Sequence, residues 1–369
     1  MTIRDDTPVP GGVTAQLEAL LDEPGLTATM VDGTRTRTAL AGIDPSEYTS
    51  VTSRLNSGRE WPAAFIAAAG RHVMIAAAAR DRGRHATAAE ALRAASLWFH
   101  FATCIPHPDR SLHQLAARSA HQCLWESLVE SGLPAEQTVV AGDYGSRGIL
   151  RKPKGSDHPP LVVIAPGMDS SAAEFALLAG ALDRRNIATI SIDGPGQGVL
   201  SQVIPARFDY EHVVTGALDA LSDRHDLSLD RIGLVGLSLG GFYAPRAAAH
   251  DPRIRAVATV TGPYRFGPWE DLWPVVQHTL IQRTLGVQAA QEFSDHLDLA
   301  GIAERVTQPL QVVAGGRDLL CTADDARRLV GEAAAGELLL IEEGDHLCAN
   351  TPWLWRPHLA DWFADQLHS

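Results

Sequence analysis

The spacing of apolar residues along the chain changes near Pro134. Before that point, from Pro45 to Gly132, they recur at i, i+3, i+4 and i+7, which predicts amphipathic helices. Four helices are expected, at Ser46–Leu55, Pro62–Arg80, Ala86–Thr103 and Arg110–Ser131. Four consecutive helices favour an antiparallel bundle. Residues 1–45 are rich in Pro, Gly and Thr around one short amphipathic run, Thr14–Leu21, and we expect them to form a loosely packed arm.

After Pro134, short apolar runs alternate with helical stretches. A hairpin is expected first, from Thr138–Ala141 and Gly148–Arg151. The later strands are continuous apolar runs, as is typical of parallel strands covered on both faces. They are expected at Leu161–Ala165, Ala188–Ile192, Ile232–Val235, Ile254–Thr259, Leu310–Ala314 and Leu338–Ile341. The helices are expected at Ala172–Asp183, Tyr210–Arg224, Gly241–His250, Trp269–Leu285, Ala289–Arg305, Asp324–Ala334 and Trp353–Leu367.

This alternation predicts an α/β fold with a doubly wound, mostly parallel sheet, whose functional site lies at the carboxyl ends of the strands. The chain is therefore expected to divide into an N-terminal arm (1–45), a helical domain (46–134) and an α/β domain (135–369).

A pentapeptide joins the strand Ile232–Val235 to the following helix. It reads Gly236-Leu237-Ser238-Leu239-Gly240, a G-x-S-x-G sequence in a strand–turn–helix setting. Such a turn is so tight that only glycine fits at the position two residues before the serine and at the position two residues after it. The strained turn presents the Ser238 hydroxyl at the carboxyl end of the strand, and the N–H of Leu239 faces the place where an oxyanion forms.

Two further polar residues follow strands of the same sheet. Asp318 comes just after Leu310–Ala314, and His346 lies in the loop after the last strand. A serine hydroxyl needs a base to take its proton, and the base needs a buried carboxylate to hold its tautomer. The order Ser238, Asp318, His346 is that of α/β-hydrolases. Asp345 is expected to be a turn residue and not the acid.

Two glycine-containing segments follow the preceding strands. In Ala165–Ser171, the N–H of Met168 is the expected second oxyanion donor, although Pro166 stands where histidine is common before the glycine. Ser170 and Ser171 are expected to cap the next helix. The stretch Asp193–Gly198 lacks the G-x-G-x-x-G spacing of nucleotide sites, so we expect a tight turn that shapes the pocket floor.

Composition narrows the range of partners. The chain has 369 residues and a formal net charge of −13, which argues against nucleic acid as a partner. The apolar run Trp61–Ala79 contains Arg71 and His72, so a buried helix is expected and no membrane partner. No signal peptide is expected from the first residues. The four cysteines lack metal-ligand or disulfide-framework spacing, which favours a cytoplasmic protein without a metal or other cofactor.

The chain from about residue 50 resembles one branch of the α/β-hydrolases, that of 2,6-dihydroxypseudooxynicotine hydrolase and the FrsA-like esterases. The likeness lies in Gly167–Ser170, Asp193–Gly198, the G-L-S-L-G-G elbow at 236–241, and the helical segment in front. The resemblance implies that the front helices cap the active site. It also implies hydrolysis of an ester or of a C–C bond beside a ketone, in aromatic catabolism or in the tailoring of polyketides and other secondary metabolites.

The resemblance further implies an extra acidic residue of the site in the segment after the sixth strand, where Glu270 or Asp271 is in the right place. The alternative is that these carboxylates are exposed at the start of a helix and only interact favourably with its dipole. Asp169, Tyr264, Phe266 and Trp269 are expected to line the substrate pocket with Glu270. A few aromatic side chains of the front helices are expected to face the pocket while the others pack in the bundle; the set is Trp61, Phe65, Trp98, Phe99, His100, Phe101 and Trp125.

The sequence thus predicts a capped serine hydrolase. Few positively charged residues are expected near the site, apart from Arg265 and Arg317, so a neutral, medium-sized organic molecule is the expected substrate. Two alternatives stay open. One is a lyase on the same scaffold, which eliminates a carboxylate such as acetate without an acyl-enzyme. The other is a binding protein that retained the fold. A homodimer is compatible with the sequence.

Overall fold

The computed structural model describes residues 11–139 and 145–368. Helices fill the N-terminal third, with bounds α1 Gly11–Leu21, α2 Leu26–Ala41, α3 Pro45–Thr52, α4 Trp61–Arg80, α5 His85–Phe101 and α6 Arg110–Glu130. The four helices expected after residue 45 are confirmed to within three residues. Side-chain caps mark the starts of two of them: the Asp44 carboxylate accepts hydrogen bonds from the N–H groups of Ser46 (2.8 Å) and Glu47 (3.0 Å), and Asp109 accepts one from Leu112 N–H (2.9 Å).

The expectation of a loosely packed arm is wrong for residues 11–41, while residues 1–10 lie outside the described part. Helix α2 buries Met30, Thr34 and Leu40. The Thr34 hydroxyl lies 2.7 Å from the Tyr48 hydroxyl, which in turn donates to the carbonyl of Val31 (2.7 Å). Threonine side chains thus take part in the packing of α2, and a search for regularly spaced apolar residues does not detect such contacts.

Helix α4 has one buried face and one open face. Trp61 stacks on Phe65 (ring centroids 4.2 Å apart), and Phe65 packs edge-on against Trp98 of α5 (5.1 Å). On the other side, Met74 and Ile75 are 67% and 49% exposed. By length and composition alone, the stretch Gly58–Arg80 could cross a membrane, and 33% of its apolar window is buried. The expected buried helix is therefore found on one face only.

The described strands form one sheet in the order β1-β2-β4-β3-β5-β6-β7-β8. Their bounds are β1 Ala135–Val139, β2 Arg147–Arg151, β3 Pro160–Ala165, β4 Ala188–Asp193, β5 Ser228–Leu237, β6 Ile254–Val260, β7 Leu310–Gly315 and β8 Gly336–Ile341. Strand β2 pairs antiparallel with β1 and β4, and every other pairing is parallel. The α/β fold class is confirmed. The hairpin's first strand begins earlier than expected, and residues 140–141 of the expected strand lie outside the described residues.

Seven helices follow the hairpin in the described chain: α7 Ala176–Asp183, α8 Glu211–Asp219, α9 Gly240–His250, α10 Pro274–Thr284, α11 Val287–Asp295, α12 Ala323–Glu332 and α13 Pro352–His368. The expected helix Ala289–Arg305 is wrong beyond Asp295. There the backbone turns to pair with the chain after β6: Phe266 N–H donates to Leu297 C=O and Leu299 N–H to Tyr264 C=O, both at 3.0 Å. Those bonds replace the helical ones.

Both faces of the sheet are buried. One face packs on α8–α12 and the other on α7 and α13. Gly233 shows how close the second packing is, because a Cβ there would lie 2.7 Å from the Phe363 ring of α13. The result is a rigid sheet whose carboxyl ends carry the loops described next.

Candidate active site

Ser238 sits on a strained turn between β5 and α9. Its φ is +55°, a left-handed conformation that is rare outside glycine. A Cβ on Gly236 would lie 1.8 Å from the carbonyl oxygen of Gly240, and a Cβ on Gly240 would lie 2.1 Å from that of Ala165. Both glycines are therefore sterically required, as predicted. The turn is fixed to the neighbouring strand by the Ser238 N–H, which donates to Val260 C=O (3.0 Å).

His346 and Asp318 meet Ser238 at the carboxyl edge of the sheet. His346 Nε2 lies 2.9 Å from Ser238 Oγ, and His346 Nδ1 lies 2.8 Å from Asp318 Oδ2. The Asp318 side chain is fully buried, and its other oxygen accepts hydrogen bonds from the N–H groups of Leu320 (2.8 Å) and Cys321 (3.0 Å). A carboxylate facing Nδ1 requires the proton there, which leaves Nε2 free to accept the proton of the serine hydroxyl.

The loop that carries Met168 is pressed against the serine. A Cβ on Gly167 would lie 2.9 Å from Ser238 Cβ, so glycine is needed at this position. The Gln197 side-chain amide holds the loop, donating from Nε2 to the carbonyls of Pro166 (2.8 Å) and Gly167 (2.9 Å). Within the described residues, the N–H groups of Met168 and Leu239 donate to no other residue, while both residues line the cavity beside Ser238. These N–H groups are therefore available to a ligand.

The expectation that the turn Asp193–Gly198 forms the pocket floor is wrong, because none of its residues lines the cavity beside Ser238. The turn instead forms hydrogen bonds that hold the Met168 loop in place. Besides the Gln197 contacts, the Asp193 carboxylate accepts a hydrogen bond from Ala172 N–H (2.7 Å). The Tyr210 hydroxyl donates to Gln197 Oε1 (2.7 Å) and so fixes the amide that holds the loop. Burial raises the pKa of Asp193 to about 7.

Replacement of Asp193 by asparagine is expected to change how stability depends on pH. The folded-state pKa lies above the unfolded value near 3.9, so the native state holds the extra proton between about pH 4 and 7. The contribution of the buried carboxyl to stability is therefore largest below about pH 4, decreases as the pH rises, and is lost once the pH passes about 7. Urea unfolding should show the wild type losing about 3 kcal/mol relative to Asp193→Asn between pH 5 and 8. A difference that does not change with pH would contradict the buried, protonated carboxyl.

A cavity of about 160 Å³ opens beside Ser238. Its walls come from the loop after β6, the start of α10, the loop after β7 and the segments that carry Met168 and Leu239. The lining residues are Met168, Ser238, Leu239, Pro263, Arg265, Phe266, Gly267, Asp271, Leu272, Trp273, Val276, Leu319, Leu320, Cys321 and His346. The volume is close to that of a cavity that binds benzene, so the buried part of a ligand is of the size of one ring.

Of the five residues expected to line the pocket, Phe266 does and four do not. Tyr264 is buried because its hydroxyl donates to Glu332 (2.5 Å) and its ring lies under the Arg328 guanidinium (4.0 Å). Asp169 is paired with Arg37 (2.7 Å). Trp269 packs on the α8–α12 side of the sheet and Glu270 is exposed to solvent, whereas the neighbouring Asp271 lines the cavity.

The front helices also differ from expectation. No residue of 46–134 lines this cavity, whose lid is instead the segment 263–276. Most of the aromatic side chains of these helices were expected in the bundle core, and Trp61, Phe65, Trp98 and Phe101 are there, at most 1% exposed. The few that were expected to face the pocket do not line this cavity. Ser170 and Ser171 do not cap α7, which begins at Ala176 without a side-chain cap; they bond to Arg37 and His100.

Among the residues that the structure describes, one group of side chains is close enough together to hold a metal ion. The ligand atoms of Asp318, Cys321 and His346 lie within 4.8 Å of one another. Both oxygens of Asp318 and both nitrogens of His346 are already hydrogen-bonded, and burial raises the pKa of the Cys321 thiol well above its ordinary value. The donor set therefore fits a proton relay better than a metal, and the absence of a cofactor stays a prediction.

Residues 162–368 match the alpha/beta hydrolase family, and the chain belongs to this family. The structure agrees: the crystal structure of 2,6-dihydroxy-pseudo-oxynicotine hydrolase superimposes with a TM-score of 0.81, covering 90% of this chain and 95% of that one at 23% identity. This likeness shows the fold.

Two named relatives are similar in sequence. The 2,6-dihydropseudooxynicotine hydrolase of Paenarthrobacter nicotinovorans is 30% identical over 229 residues, which are 59% of this chain and 60% of the relative. The 20-hydroxy-prefusarin hydrolase of Gibberella moniliformis is 43% identical over 112 residues, 28% of this chain and 26% of the relative. The chain thus spans less than two thirds of the length of these relatives.

Proposed function

We propose that the protein is a serine hydrolase in which Ser238, His346 and Asp318 form the catalytic triad. Ser238 Oγ attacks a carbonyl carbon while His346 Nε2 takes the hydroxyl proton, and Asp318 holds the imidazole and stabilises its charged form. His346 then protonates the leaving group, which departs as the C–O or C–C bond breaks, and an acyl-enzyme remains. Water activated by His346 releases the acid. The 2.9 Å and 2.8 Å contacts at the open cavity carry this proposal.

The oxyanion of the tetrahedral intermediate is proposed to accept hydrogen bonds from the N–H groups of Leu239 and Met168. Such donors are fixed before the reaction starts and act where charge develops, so one of them contributes roughly 10²- to 10³-fold to the rate. Two features support the assignment: the donors are unpaired in the described structure, and Gly167 brings the Met168 loop against Ser238.

The lining of the cavity supports a neutral organic substrate. Its inner wall is apolar, from Leu239, Phe266 and Val276. The charged side chains Arg265 and Asp271 are of opposite sign and exposed. A ring-sized acyl or leaving group therefore fits inside, while the rest of a medium-sized molecule extends outward. The resemblance to a pseudooxynicotine hydrolase and a prefusarin hydrolase supports an ester, or a C–C bond beside a ketone, as the bond cleaved.

Trapping of the acyl-enzyme tests this proposal. The wild-type protein is mixed with neutral aryl esters and with aryl 1,3-diketones, quenched in acid within one turnover, and digested for mass spectrometry. We expect the acyl mass on the peptide that contains Ser238. Turnover without any acyl adduct would favour elimination, as in a lyase, and neither turnover nor adduct across both series would favour a binding protein.

A further inference from the structure

Helix α2, from the segment expected to be a loose arm, touches both loops that bring groups to Ser238. Arg37 reaches the loop after Met168: its Nη1 donates to Asp169 Oδ2 (2.7 Å) and its Nη2 to Ser170 Oγ (3.0 Å). The same guanidinium forms a bidentate ion pair with Glu174, donating from Nε to Oε1 (2.6 Å) and from Nη2 to Oε2 (2.8 Å). One side chain thus binds three residues of the segment that follows the proposed oxyanion donor.

The preceding residue, Thr36, reaches the other loop. Its hydroxyl donates to Asp345 Oδ2 (2.6 Å), and Asp345 directly precedes His346. Asp345 is fixed further by Asn350, since its Oδ1 accepts from Asn350 N–H (3.1 Å) and its own N–H donates to Asn350 Oδ1 (3.0 Å). Adjacent residues of one helix are therefore bonded to the oxyanion loop and to the loop of the base.

The Arg37 contacts are buried, which makes their geometry specific. The Arg37 side chain is 12% exposed and that of Glu174 is 1% exposed. Burial alone would raise the pKa of the carboxyls of Asp169 and Glu174, but the Arg37 charge lowers the pKa of both below its ordinary value, so both stay ionised. A buried ion pair adds little net stability, yet loss of one partner leaves a charge without compensation. The loop therefore has one favourable position relative to α2.

His100 extends the same cluster. Its Nε2 lies 3.0 Å from Glu174 Oε2, and its Nδ1 lies 3.0 Å from Ser171 Oγ. This is a second Ser–His–acid arrangement, but the cavity beside it is only about 10 Å³, the room of one water molecule. It cannot admit a carbonyl substrate, and so it serves to hold the loop.

We propose that Arg37 and Thr36 are positioning residues: α2 sets the placement of the Met168 N–H and of His346 relative to Ser238. The proposal rests on the proposed function. Because an oxyanion donor acts mainly in the transition state, displacement of its loop should lower kcat and leave KM nearly unchanged. A misplacement of about 1 Å is enough to cost on the order of 10²-fold.

The test compares Arg37→Met with Arg246→Met. Arg246 is a matched control because it forms a buried two-point pair with Glu211 (2.6 and 2.8 Å), between α8 and α9. Rates on an aryl ester are divided by the folded fraction from circular dichroism. We expect Arg37→Met to lower kcat about 10- to 100-fold, with KM within about threefold and partial rescue in Arg37→Lys, whereas Arg246→Met keeps its kcat.

Two further readouts separate positioning from a structural role. Arg37→Met should weaken inhibition by an aryl boronate, whose tetrahedral adduct uses the oxyanion site, by the same factor as kcat/KM. Thr36→Val should lower kcat by about threefold or more and shift its pH profile, while Thr29→Val, on the same helix, should do neither. If Arg37→Met matches Arg246→Met in kcat and boronate affinity, the positioning role is wrong and the triad stands. If the wild type turns over no ester and forms no adduct, both proposals are wrong.

Discussion

Replacement of Ser238 by alanine is expected to lower kcat by at least about 10³-fold. The variant keeps the cavity and the N–H groups of Leu239 and Met168 but lacks the proposed nucleophile, so only the slow attack by bound water should remain. The change removes one oxygen from a partly exposed side chain, and the unfolding free energy should change by less than about 1 kcal/mol. Steady-state kinetics on the best ester or ketone substrate, together with a urea unfolding curve, measure both quantities.

Ser201→Ala is the matched control for this substitution. Ser201 Oγ lies 2.8 Å from His113 Nε2, so it belongs to a serine–histidine pair like that of Ser238. Ser201 is 1% exposed, however, and His113 Nδ1 has no hydrogen-bond partner in the described structure, so no acid orients this histidine. The control should lose stability and keep kcat. A Ser238→Ala protein that retains near-full rate would mean that the reaction has no serine nucleophile.

Replacement of Asp318 by asparagine is expected to lower kcat by about 10³- to 10⁴-fold. The amide oxygen of asparagine should take the place of Oδ1, because the N–H groups of Leu320 and Cys321 require an acceptor there. Its NH₂ group then faces His346 Nδ1 and forces the tautomer whose proton is on Nε2. In that form the imidazole cannot accept the proton of Ser238.

Asp324→Asn is the control for the loss of a negative charge near the site, because the Asp324 side chain is 90% exposed and, among the described residues, its ion pair is with Arg327 on the next turn of the helix. It should keep kcat within about twofold. The measurement is kcat across pH 5–9 for both variants. Equal rates for Asp318→Asn and the wild type would show that another group orients His346 or that His346 is not the base.

The residues of the site could be predicted from sequence because the signals are local. Gly236 and Gly240 are required by sterics within one turn, and Ser238 lies between them. Asp318 and His346 follow strands whose carboxyl ends meet at one sheet edge, so topology alone brings them together. The same logic predicted the position of the Met168 loop.

The surroundings of the site could not be predicted because they depend on distant contacts. Tyr264 follows β6 as expected, yet Glu332, 68 residues later, takes its hydroxyl away from the cavity. Arg37 pairs with carboxylates 132 and 137 residues away, and no motif marks it. The spacing of apolar residues along the chain predicts where helices lie, but it does not predict the charged contacts that attach α2 to the domain that contains the sheet. For the same reason the front helices could be placed in sequence but not relative to the cavity.

Reaction with a fluorophosphonate, followed by peptide mapping, tests most directly whether three distant residues form one nucleophilic centre. We expect a single phosphonyl adduct on Ser238 in the wild type, formed at least about 10³-fold more slowly in His346→Ala and in Asp318→Asn. An adduct on another residue, or labelling of Ser238 that proceeds at the wild-type rate without His346, would contradict the triad.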